Sequence, residues 1–126
     1  MKRRWGREDQ KIELILEDIL RSRAKSRMYL YLLKNKGAET SDIINETKLH
    51  PSTVREILPQ MYNEGIITRE KTSRGGVGKN PYRYYPLNPI QLFKKYILEI
   101  EERLNNVIQF SSEDKTEAGI EIKIVR

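Results

Sequence analysis

Directly after Pro51, the chain places two hydroxyls, a guanidinium and a carboxylate in one run: Ser52, Thr53, Arg55 and Glu56. Proline suits the first position of a helix, where its missing N–H has no intrahelical partner to lose. The four side chains therefore open a helix expected over residues 51–64, with Gln60 further along. Ser and Thr can contact either base edges or phosphate, Arg suits guanine, and a carboxylate can accept from cytosine. The free N–H groups where helices start, near Ser41 and Ser52, also favour phosphate. This is recognition chemistry, not bond-breaking chemistry.

A second chemical run is SRGGVGKNP, flanked by basic residues. Lys71, Arg74, Lys79 and Arg83 can grip phosphates or enter a minor groove, and the glycines let a backbone approach closely. GGVGK is similar to part of a nucleotide-phosphate loop. That pattern needs a Gly where Ser73 stands and a Ser or Thr where Asn80 stands. Asn80-Pro81 then opens a strand-like run, not the helix that would hold phosphates. No nucleotide and no cofactor are expected. The chain has no Cys and one His, His50, so no catalytic or metal site is expected either. Of Tyr82, Tyr84 and Tyr85, any could stack on bases, but strand alternation sends Tyr84 or Tyr85 inward.

The elements that must position these residues follow from periodicity. Residues 1–7 form a basic arm carrying Trp5. Residues 8–20 read as an amphipathic helix, with Ile12, Ile15, Leu16, Ile19 and Leu20 on one face. Ser22 caps a next helix, which Gly37 ends with a left-handed residue. Residues 38–40 pair as an edge strand. Ser41 is expected to cap a helix over 42–47, and residues 48–50 make the turn into helix 51–64. Val54, Ile57, Leu58 and Met61 form that helix's inner face. Pro59 should kink or end it, which favours Ser52, Thr53, Arg55 and Glu56 over Gln60 and Asn63 as base contacts. Residues 66–72 and 82–87 are β-rich and flank the Gly-rich loop as a hairpin.

From Asn88 the pattern changes. Ile90, Phe93, Ile97, Ile100, Leu104 and Val107 are spaced 3, 4, 3, 4 and 3, the seam of a coiled coil. Together with Ile12, Ile15 and Ile19 they are candidate dimerisation residues. Packing of the two terminal helices within one chain is the alternative. Residues 111–126 are expected to be a mobile tail, with alternation over 120–126 that suits a short strand. The organisation is thus 1–20, arm and first helix; 21–88, the recognition unit; 89–110, the seam helix; 111–126, the tail.

Net charge is +6, unevenly spread. Residues 1–36 carry eleven Lys or Arg against five Asp or Glu, and residues 66–85 carry five against one. Residues 37–65 carry two against five, so the helix pair itself is acidic. Clustered basic charge suits a polyanion partner. No apolar run is long enough to span a membrane, and the basic start runs into charged residues, not an apolar stretch. A cytoplasmic chain without a membrane partner is expected.

The run from Arg21 to Leu87 resembles the winged helix-turn-helix transcriptional regulators of the ArsR, MarR and TrmB kind, especially archaeal forms. Its most specific parts are KLHPSTVREIL, similar to a turn and recognition helix, and NEGIITRE, similar to the passage into the wing. The resemblance covers roughly residues 19–88. It implies a mainly α fold with a small β-hairpin wing, and a homodimer on a pseudo-palindromic double-stranded DNA operator. The competing expectation is a winged-helix module for protein interaction, with weak or no DNA binding.

Overall fold

The structure is a computed structural model and describes residues 5–72 and 81–111. Gly6 has no side chain to cap a helix, so Asp9 reaches back and its Oδ2 accepts the Gly6 N–H at 2.7 Å. Helix α1 then runs Arg7–Leu20. Ser22 Oγ accepts the Lys25 N–H at 3.1 Å and starts α2, Arg23–Asn35. The left-handed residue that ends α2 is Lys36, at φ 55°, one position before the expected Gly37. Gly37 has its own reason to be glycine. Its φ is +104°, and an added Cβ would lie 2.7 Å from the Tyr85 ring.

Strand β1, Ala38–Glu39, leads directly into α3, Thr40–Thr47. Here the expected cap is corrected. Glu39, not Ser41, is the N-cap, and the Asp42 carboxylate accepts the Glu39 N–H at 3.4 Å. Glu39 is already held extended by pairing with Arg83, so the helix starts as soon as the strand ends. Ser41 therefore lies inside the first turn, exposed.

Helix α4 spans Pro51–Asn63. It does not end at Pro59. Proline removes one N–H, but Pro59 is exposed, and Leu58 and Met61 on either side of it are buried and hold the next turn to the core. Strands β2, Ile67–Lys71, and β3, Tyr82–Pro86, complete a three-stranded antiparallel sheet of order β1-β3-β2. Pro86 cannot donate opposite Ile67, and Leu87 N–H instead donates to the Ile66 carbonyl at 2.9 Å. At the other end, the Thr72 N–H and Oγ1 both donate to the Pro81 carbonyl, at 2.8 and 2.7 Å.

The core sits where α2, α3, α4 and the sheet meet. Met28, Tyr29 and Leu32 meet Ile43, Val54, Leu58, Met61, Ile66 and Ile67, all essentially inaccessible to solvent. Tyr29 Oη donates to the Leu87 carbonyl at 2.6 Å. Burial raises its phenol from 10.0 to about 12, because the ionised form would lose its hydration.

Helix α1 lies on α2 through a narrower face than expected. Leu16, Leu20 and Glu13 are buried, while Ile12 and Ile15 stay exposed. The predicted single apolar face is thus divided into an inward row and an outward one.

The chain forms two compact units, residues 1–87 and 88–126. In the second, Asn88 Oδ1 accepts the Ile90 N–H at 2.9 Å, and α5 runs Pro89–Ser111. Ile90, Ile100, Leu104 and Val107 are exposed along it; Phe93 and Ile97 are half-buried. The strand expected over 120–126 and the tail after Ser111 lie outside the described residues. Among those residues, no helix is long and apolar enough to cross a membrane.

Candidate nucleic-acid interface

His50 shapes the start of α4. Its Nδ1 accepts the Ser52 N–H at 3.2 Å and lies 2.7 Å from Ser52 Oγ. The side chain thus takes the cap position left by a turn that ends in Leu49. Val54, Leu58 and Met61 point inward, and Ser52, Arg55, Glu56, Gln60 and Asn63 are left exposed on the outer side; Thr53 is half-buried. Because the helix continues through Pro59, Gln60 and Asn63 stand on the same outward surface as the residues before it.

Arg55 lines a groove of about 520 Å³ between α3, α4 and β3. Ser41 and Thr40 at the start of α3 form one wall, and Tyr84 of β3 with Pro81 just before that strand another. The groove brings Ser41 and Arg55, far apart in sequence, to one place.

The wing is less uniform than its sequence. Lys71 is exposed at the end of β2, opposite Tyr82. Arg83 is half-buried, donates to the Gly37 carbonyl at 3.0 Å and lies 5.8 Å from the Tyr85 ring. Arg74 and Lys79 lie outside the described residues. Tyr84 is the inward tyrosine, 7% exposed. Arg69 escaped the sequence reading. Its guanidinium carbon lies 3.9 Å from the Tyr62 ring centroid and 4.2 Å from that of Tyr82. Alternation along β2 puts Arg69 on the Ile67 face, which was legible. The approach of Tyr62 from the end of α4 required the tertiary fold.

Residues 22–90, more than half of the chain, match the family described as sugar-specific transcriptional regulator TrmB. The chain belongs to the TrmB family. Its fold is similar to that of a possible transcriptional regulator from Methanosarcina mazei Go1, at TM-score 0.65 and 19% identity, over 82% of this chain and 90% of that one. It is also similar to a mutant of S. aureus MepR, at TM-score 0.51 and 17% identity, over 86% and 79%. No curated protein matches the chain. The winged-helix fold and a regulatory, non-enzymatic role follow from the family and not from any one residue.

This TrmB-family chain uses much of its basic first third internally. Arg27 donates to Glu13 at 3.1 Å and to the Thr47 carbonyl at 3.3 Å, and lies 5.5 Å from the Trp5 ring. Lys34 pairs with Asp9 at 2.7 Å beneath the same ring, and Lys25 pairs with Glu64 at 2.7 Å. These cations brace α1 and the end of α4 against α2. Arg23, 73% exposed in its side chain, is placed 3.8 Å from Glu13 at the rim of that network. The positive count at the front of the sequence thus overstates the free charge there.

Proposed function

We propose that the chain is a cytoplasmic, homodimeric regulator that binds double-stranded DNA sequence-specifically. Helix α4 enters the major groove, with Ser52, Thr53, Arg55, Glu56 and Gln60 directed at base edges and Ser41 at a phosphate. The wing, residues 71–83, follows the backbone or the minor groove through Lys71, Arg74, Lys79 and Arg83. The observation that carries this reading is the outer face of α4, where Ser52, Arg55, Glu56, Gln60 and Asn63 are exposed on one continuous helix with a β-hairpin at its flank. A helix of that width fits the major groove of B-DNA. The exposed rows Ile12, Ile15 of α1 and Ile90, Ile100, Leu104, Val107 of α5 support self-association, since apolar rows of this length favour a partner. Ile19, Phe93 and Ile97 extend those rows. Gel-shift titration over a salt series tests the reading: affinity should fall steeply with salt and differ between sequences.

A second reading, a winged-helix module for protein interaction, draws on the acidic 37–65 segment and on the internal pairing of Arg27, Lys34 and Lys25. Capture of a stable protein partner, with no duplex binding at low salt, would favour it.

A further inference from the structure

Two tyrosine rings lie against the Arg69 guanidinium, their centroids 3.9 and 4.2 Å from its carbon. Tyr62 comes from the last turn of α4 and Tyr82 from the first residue of β3. Two such contacts hold the group by cation–π attraction and restrict its movement. The five N–H donors of a guanidinium lie in its plane, so a ring against its face does not use them. Among the described residues, the Arg69 guanidinium makes no hydrogen bond or ion pair. The contrast with its neighbours decides the matter. Arg83 is bonded to the Gly37 carbonyl, and Arg27, Lys25 and Lys34 are bonded to carboxylates. Arg69 is held against two rings, half-buried, and its donors are unspent among the described residues.

Its place is also informative. Tyr62 stands seven residues after Arg55 on α4, two turns further along the same flank. That flank faces the groove lined by Arg55, Pro59, Pro81 and Tyr84. Arg55 therefore marks one end of the junction between reading helix and wing, and Arg69 the other. A planar fork of donors held rigidly at such a junction matches two oxygens of one phosphate. Little side-chain freedom is left to lose on binding, since the rings already restrict it.

We propose that Arg69, held against the rings of Tyr62 and Tyr82, is a binding site for one backbone phosphate of the duplex, at the point where the DNA passes from α4 to the wing. The proposal rests on the DNA-binding reading above. It adds a contact that positions the protein without reading sequence.

The test uses the full chain, a duplex selected by the wild type from a random pool, and an unrelated duplex. Arg69→Gln is expected to weaken both about tenfold, as loss of a charge-assisted contact does. The slope of log affinity against log salt should fall by about one, with base preference and the urea midpoint unchanged. Arg69→Lys should keep the salt slope and recover only part of the affinity, because an ammonium cannot form the stacked fork. Ethylation of one particular phosphate should weaken wild-type binding and have no effect on Arg69→Gln. Unchanged affinity and slope in Arg69→Gln, beside normal wild-type binding, would overturn the clamp and leave DNA binding standing. Lost base preference or a lowered urea midpoint would make Arg69 a structural residue and also overturn it. Absence of wild-type binding to any duplex at low salt would instead remove the parent reading.

Discussion

Tyr29 Oη donates to the Leu87 carbonyl at 2.6 Å, tying the middle of α2 to the end of the last strand, 58 residues on. The bond closes the domain around its core, since Tyr29 is fully buried. Tyr29→Phe keeps the ring and removes the donor, and should cost about 1–2 kcal/mol at neutral pH, read from urea unfolding. The pH dependence follows from the raised phenol. The unfolded tyrosine ionises near 10.0, the folded one near 12. Above pH 10 the unfolded state therefore binds fewer protons, and stability falls as pH rises through that window. Tyr29→Phe should flatten this alkaline fall; an unchanged slope would place the alkaline sensitivity elsewhere.

Gly37→Ala should destabilise by more than about 1 kcal/mol. The residue has φ +104°, and a Cβ there would meet the Tyr85 ring at 2.7 Å and the Tyr84 carbonyl oxygen at 3.1 Å. Gly65→Ala is the comparison. It has positive φ but open space around the added Cβ, so the backbone cost acts alone. Thermal unfolding should rank Gly37→Ala below Gly65→Ala.

Self-association is tested by charge on the outward rows. Ile15 is 53% exposed and Ile100 43%. Lysine at either site should change the stability of a single folded chain by no more than about 0.5 kcal/mol. Combined Ile15→Lys and Ile100→Lys should give folded monomers by light scattering, with unchanged helical circular dichroism. Persistence of the dimer would move its interface off both rows.

Base reading and backbone grip should separate. Arg55→Ala is expected to cost about 1–3 kcal/mol on the selected duplex and to relax preference at one base pair. Lys71→Ala should weaken all duplexes alike and reduce the salt slope by about one. If Arg55→Ala changes neither affinity nor preference, α4 is not the reader.

Much of this architecture was legible because local chemistry and tertiary packing agree. Ser22, Pro51 and Asn88 start helices where expected, and Gly-rich sequence separates two β-rich runs that pair. The departures arise where a distant element decides. Ser41 is a better intrinsic cap than Glu39, but Glu39 is fixed by pairing with Arg83 from the third strand. Pro59 is a helix breaker by propensity, yet the buried Leu58 and Met61 carry α4 past it. Strand alternation predicts which face Arg83 and Arg69 occupy. It does not reveal that Arg83 is bonded to Gly37, or that Tyr62 comes to meet Arg69. Counted charge also misleads where partners are distant, as with Lys25 and Glu64.

The central claim is that α4 and its wing read duplex DNA as a pair of copies. Selection of bound duplexes from a random pool tests it most directly. The account predicts an enriched pseudo-palindrome with half-site centres about one helical turn, roughly 34 Å, apart or a multiple of it. A pool that shows no enrichment over its input, from a folded protein at low salt, would contradict it.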